Sequence, residues 1–237
     1  MSVLLVQEAR KAMAYNNSLY AKQLGNGWAG DDTWVGQLAL RDGAAVTVPW
    51  VQALVFRGVV FGIHAGSITT PIAGHAAIDA DQPEAAVRAA TSGLVILPLS
   101  VRMAMETGAT TLAQGGMMVA VSNIDVGAGT STAATPFNLN MNSPVATQAS
   151  AAAAYTGNGT DPLTAGNFLE LARASAVIDA DAATSGIIPP TLKWTATHED
   201  IAPLITQIGS FLIYGEAAAN TIFATMIWAE FAQANFA

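Results

Sequence analysis

Along much of the chain, apolar and polar residues alternate one by one. The clearest run is 95–106. Val95, Leu97, Leu99, Val101, Met103 and Met105 fall on one side, and Ser100, Arg102, Ala104 and Glu106 on the other. A period of two marks a half-buried β-strand. The same rhythm predicts strands over 59–64, over 117–122 after a Gln-Gly-Gly turn, and over 137–142, where Phe137, Leu139 and Met141 alternate with three asparagines. It continues over 192–199, 210–214 and 221–231, the last two flanking Gly-Glu-Ala-Ala-Ala-Asn as a hairpin loop. Residues 45–56 also read as a strand, with Pro49 placing it at an edge or a bulge. Residues 149–155 and 168–177 fit a strand or a short helix equally.

Spacers rich in Gly, Thr, Ser, Ala and Pro separate these runs, at 125–136, 155–166 and 179–190. Strands at this density, without interleaved helices, predict an all-β chain folded as an antiparallel β-sandwich or barrel. The N-terminal stretch differs. Leu5, Ala9, Met13 and Tyr20 recur at roughly helical spacing, and Glu8, Arg10, Lys11 and Lys22 cluster there. It reads as a short helix or an arm that grips a neighbour, closed by the turn-rich Gly25–Trp34 stretch. The expected organisation is an arm or helix with linker over 1–34 and a sandwich over 35–237.

Composition changes the picture in one respect. Charged residues make up 11% of the 237 and hydrophobic residues 52%, where ordinary soluble domains carry about 25% charge. The mean hydropathy is +0.40. A membrane helix would need about 20 uninterrupted apolar residues. The best window, 201–231, is broken by Pro203, Gly209, Gly215, Glu216 and Asn220. The first residues, MSVLLVQEARKAM, do not read as a signal peptide. A chain outside the membrane with so few charges is expected to hide its exterior against neighbours. The net charge of −8 rests on only nine Lys and Arg. Without clustered cations, direct nucleic-acid binding is not expected. Cys is absent, which excludes disulfides and thiol chemistry.

Catalytic patterns are weak. His64, His75 and His198 are far apart in sequence and form no metal-binding spacing. Asp79 and Asp81, echoed at Asp179 and Asp181, could share one face of a strand toward Ca²⁺, but turn formation explains such Asp residues as well. Gly25–Gly27 and Gly127–Gly129 lack the Lys-Ser/Thr ending of a phosphate loop. Asn158–Thr160 matches a glycosylation sequon by coincidence. No catalytic residue, cofactor or metal is expected. Trp28, Trp34 and Trp50, with Tyr20 and Arg10, are the interface candidates, since aromatics and Arg anchor subunit contacts.

The segments FGIHAGSITTPIAGHAAIDADQPEAAVRA, LVILPLSVRMAMETG, PPTLKWTATHED and IFATMIWAEF resemble structural proteins of tailed bacteriophages, cyanophages included. Over about three quarters of the chain, their order resembles small jelly-roll proteins that decorate or cement a capsid as trimers. The resemblance implies a non-enzymatic virion protein. It would be assembled in the host cytoplasm as a homotrimer and would contact a major capsid protein. The alternatives are a receptor- or glycan-binding module of a fibre, or a shell protein in its own right. A jelly-roll enzyme acting on polysaccharide would require clustered carboxylates.

Overall fold

The computed structural model describes residues 18–21, 33–36, 49–67, 69–75, 77–105, 113–121, 131–157, 163, 166–177, 191–216 and 221–235. The chain forms two compact units, Met1–Gln52 with Gln233–Ala237, and Ala53–Ala232. In the first unit β1 (Ser18–Ala21) pairs antiparallel with β2 (Thr33–Gly36), which sets Tyr20 opposite Trp34. Tyr20 therefore lies in a strand, and the helical spacing that included it does not hold there. Residues 1–17 are outside the described residues.

The second unit is a sandwich of two antiparallel sheets. Its elements run β3 (Val60–Ala65), β4 (Ile72–Ala73), β5 (Ala85–Arg88), β6 (Leu94–Met105), β7 (Ala113–Val121), β8 (Thr132–Ala133), β9 (Phe137–Asn138), β10 (Ser150–Ala153), β11 (Phe168–Val177), β12 (Thr191–Thr195), β13 (Ile205–Thr206), β14 (Ser210–Glu216) and β15 (Thr221–Ala232). One sheet has the order β11-β7-β14-β5-β10-β8. The other has the order β12-β6-β15-β3-β9, with β13 added on β6 and β4 on β15. The two stretches open to either structure, at β10 and β11, are both strands.

The sheets meet through a shared core of Phe61, Ile63, Val87, Ile96, Val101, Met103, Met118, Trp194, Phe211, Ile213, Met226 and Trp228 among others. In β15 the burial alternates strictly from Thr221 to Trp228. In β6 it does not. Ile227 pairs with Ser100 but Trp228 pairs with Pro98, so Leu99 is an extra residue in the ladder. This β-bulge switches which residues face inward. Leu94 and Ile96 face the core on one side of it, Val101 and Met103 on the other. The single apolar face expected from Val95 to Met105 is thus two half-faces. Pro98, which has no N–H to donate, sits where the ladder is broken.

Several local expectations are corrected. From Trp50 to Phe56 the chain is a helix, α1, not a strand. Pro49 immediately precedes its first residue, where the missing N–H costs nothing. Gly58, at φ +70°, ends it. Its N–H donates to the Val55 carbonyl (2.9 Å) and the Val59 N–H to the Leu54 carbonyl (3.4 Å), the pair of bonds that closes a helix on a left-handed residue. Gln114-Gly115-Gly116 is not a turn but part of β7. A Cβ on Gly116 would collide with Met103 Cε from the facing sheet. The asparagine alternation yields only a two-residue strand. The Asn138 side chain then accepts the Asn140 N–H (2.9 Å) and donates to the Gly58 carbonyl (2.8 Å), turning the chain instead of extending it. β12 likewise ends at Thr195, before the predicted strand does. β14 and β15 belong to different sheets, so the segment between them is a crossing and not a hairpin loop.

Gly58 supplies the expected test of this region. Gly58→Ala places a Cβ at positive φ and against Ser143 Oγ. The strain alone is about 1–2 kcal/mol. Urea denaturation should show a loss of at least that size. Loss of only a few tenths would mean that Gly58 is not the residue that ends α1.

Candidate functional site

The two sheets treat their outer faces differently. Behind the six-stranded sheet lies a second cluster of Ala86, Met117, Val119, Val121, Leu212, Tyr214 and Tyr155, packed with Ile78, Ala152 and Leu163. The Tyr214 hydroxyl donates to the Ala80 carbonyl (2.8 Å), tying the 78–81 turn over this face. That turn is where Asp79 and Asp81 lie. Asp79 accepts from the Gln82 side-chain amide (3.0 Å), so the pair shapes a turn and does not share a strand face. The echo at 178–181 is outside the described residues.

The outer face of the seven-stranded sheet is left open along one row. His64 stands opposite Thr225, Thr225 opposite Arg102, and Arg102 opposite Lys193, across β3, β15, β6 and β12. His64, Arg102 and Lys193 are exposed, because their strand neighbours Ile63, Ala65, Val101, Met103, Leu192 and Trp194 take the inward positions. His64 Nδ1 lies 3.0 Å from Thr225 Oγ1, and its ring stacks on Phe137 at 4.9 Å. The Phe137 ring in turn covers Gly62, where a Cβ would come within 2.8 Å of it. A concavity of about 700 Å³, lined by His64, Ser67, Thr69, Phe223 and Thr225, opens beside the row. Among the described residues of these four strands, the outward positions hold no carboxylate. Arg102 and Lys193 are directly opposed like charges, an arrangement that disfavours the bare face.

A second polar site is internal. The Glu84 side chain is fully buried; its Oε1 accepts the His75 N–H (3.1 Å) and meets His75 Nδ1 at 2.9 Å. Its Oε2 has no hydrogen-bond partner among the described residues. Burial pushes this carboxyl above its ordinary value of 4.5, against the weaker pull of His75 and the Gly215 N–H. A buried carboxyl that orients a half-exposed imidazole is an arrangement used by metal sites and general bases. Among the described residues, however, no group of three His, Asp or Glu converges on it.

Glu230 is the other buried acid. It faces the core beside Trp228, whose Nε1 donates to it at 2.8 Å. It also accepts the Thr147 hydroxyl and the Gln148 N–H (2.8 Å), so it fastens the strand leading into β10 to the opposite sheet. Its role is structural: each of its bonds ends on the chain itself.

Neither Glu84 nor Glu230 stood out in the sequence, and the exposed row joins residues up to 161 positions apart. Of the sequence-based interface candidates, Arg10 and Trp28 are outside the described residues. Tyr20 and Trp34 are register partners in the β1–β2 ladder. Trp50 opens α1 at 51% exposure. His198 is exposed in a turn, 3.6 Å from Glu199. Gly25–Gly27, Gly127–Gly129 and Asn158–Thr160 are outside the described residues.

No family model matches the sequence, and comparison with curated proteins and with solved structures gives no match either.

The Glu84 carboxyl gives a pH prediction with a definite sign. Its folded value lies above the unfolded one, so the folded state binds the extra proton between them. Its contribution to stability is present below 4.5 and falls as pH rises through the folded value. The difference in unfolding free energy between wild type and Glu84→Gln should therefore decline as pH is raised from 4.5. A difference that grows over that range would show that His75, not burial, governs the carboxyl.

Proposed function

We propose that this chain is a structural protein of a tailed-phage virion, a jelly-roll subunit that decorates or cements the capsid. The observation that carries the reading is the strand order. Eight principal strands, β3, β5, β6, β7, β11, β12, β14 and β15, can be lettered B to I in chain order. The two sheets then have the orders B-I-D-G and C-H-E-F. That order supports the jelly-roll reading, the two-Greek-key sandwich of viral coats and of lectins. On this assignment β10 is an addition at the free side of strand C.

The surface supports an assembly role over a solitary one. Among the described residues, Phe56, Met141, Val145, Phe168, Leu169, Ile201 and Leu204 are large apolar side chains left exposed, Met141 at 89%. Phe168, Leu169 and Leu204 line one cleft of about 260 Å³ at a sandwich end, together with Pro203 and Gly209. Scattered exposed Leu or Ile is ordinary; several lining one cleft, in a chain with so few charges, fit a partner's side chain. The lectin branch of the fold keeps a glycan-binding reading alive. It is less favoured, because Trp194 and Trp228 are buried in the core and cannot stack on a sugar, which leaves Trp50 as the one exposed Trp among the described side chains.

In this role the protein would occur in the virion, bound to a major capsid protein and to copies of itself. Full-length protein at micromolar concentration should run as a discrete oligomer, a trimer, by multi-angle light scattering. A monomer at every concentration tested would sink the reading, and specific binding on an oligosaccharide array by such a monomer would replace it with the lectin one.

A further inference from the structure

The geometry points to the exposed row His64–Thr225–Arg102–Lys193 as the docking face for a second copy of this chain, which would present its acidic turn at residues 197–200. The inference rests on the assembly reading and names the surfaces that such an assembly would use.

The charge pattern of the described residues argues for this occupant. Of the five cations described, Arg173 is held by Glu170 in a two-bond pair (2.8 Å each), and Arg57 and Arg88 have interactions of their own. Arg102 and Lys193 stand side by side without an ion-pair partner among the described residues. A face that opposes two cations, in a chain of net charge −8, is stabilised by any carboxylate brought to it. The chain carries such carboxylates in a preformed turn. The Thr197 hydroxyl accepts the N–H groups of Glu199 (3.2 Å) and Asp200 (2.9 Å), and the Thr197 N–H donates to the Asp200 carbonyl (3.1 Å). These bonds fix both acids in the turn, with the Glu199 side chain 83% exposed.

Within one chain the two features do not meet. Ala196 is bonded to the Leu99 carbonyl (2.8 Å) at the edge of the sheet, and the turn follows directly after it. Neither Glu199 nor Asp200 forms an ion pair with Arg102 or Lys193 among the described residues. A neighbouring copy can supply what the chain's own turn does not. Apolar groups accompany both sides. Ile201, 76% exposed, follows the acidic pair, while Phe223 and Ile227 lie half-buried on the basic face. Exposed ion pairs add little affinity. Their part is to set orientation and exclude other pairings, while the apolar flanks supply the burial.

The test is a charge exchange in the full chain, read by sedimentation velocity, with circular dichroism to verify folding. Arg102→Glu with Lys193→Glu should weaken self-association by about tenfold or more, and so should Glu199→Lys with Asp200→Lys. The chain carrying all four changes should recover association, since the two surfaces are again opposite in charge. Raising salt from about 50 mM to about 0.5 M should weaken the wild type as well, a measurement that needs no variant. If the wild type associates but neither salt nor either double variant weakens it, this inference is overturned and the assembly reading stands. If only the Arg102/Lys193 variant weakens it, the acids come from elsewhere and the named occupant is wrong. Failure of the folded four-fold variant to recover has the same meaning. A wild type that never associates overturns both readings.

Discussion

The ladder between β6 and β15 is the longest among the described residues, and the extra residue Leu99 within it fixes which side chains face the core. Without the bulge, with Leu99 paired as an ordinary rung, the inward phase of Leu94 and Ile96 would carry on through Ser100, Arg102 and Ala104. A guanidinium would then sit where Val101 and Met103 now pack, at a cost no hydrogen-bonding partner there would offset. With it, Arg102 emerges beside Lys193 on the outside. Core and exposed row are therefore two results of one local event. β11 repeats the device on a smaller scale. Its register shifts between Glu170 and Ala172, and Glu170 and Arg173 meet in an ion pair three residues apart on a strand.

Among the described residues, one buried acid acts as a fastener across the sandwich. Glu230 is held by an indole N–H, a hydroxyl and backbone N–H groups of the stretch leading into β10. A buried carboxylate with that many donors is satisfied, and it pins the chain that crosses above it. Glu84 is different. One of its oxygens is bound to His75 and the other is without a partner among the described residues, so desolvation dominates it. Both acids come from strands or strand ends of the core, and neither lies on the open face. Among the described residues, the exposed cations thus stand apart from the buried acids.

The fold class was legible because alternation survives wherever one face is buried, as in β12 and β15. It failed where another force set the conformation. Residues 50–56 are apolar enough to suit a strand, but Pro49 before them and Gly58 after them bracket a helix more specifically than composition does. Gly115 and Gly116 looked like a turn because glycine favours turns, yet at Gly116 the facing Met103 demands a residue without a side chain. The asparagine run looked like a strand because its period is two, but Asn138 bonds to backbone groups near it. The bulge at Leu99 left its signal in Pro98, while the apolar run through it hid the change of face. The exposed row was invisible for another reason: its members come from four strands, and cross-strand register is a tertiary fact.

On the proposed reading, scarcity of charge and placement of charge belong to one design. A surface with many charges would stay solvated whatever met it. A surface with few leaves its apolar side chains as the source of affinity, and these discriminate poorly, because burial is non-directional. Direction must come from the few ions present. Two like charges set opposite each other on a rigid sheet serve this end well: they disfavour the uncovered face and reject apolar or basic partners that would otherwise stick. Each contact stays weak alone, as a subunit that must first find its place requires. Stability then arises from engaging several such contacts at once in a closed assembly.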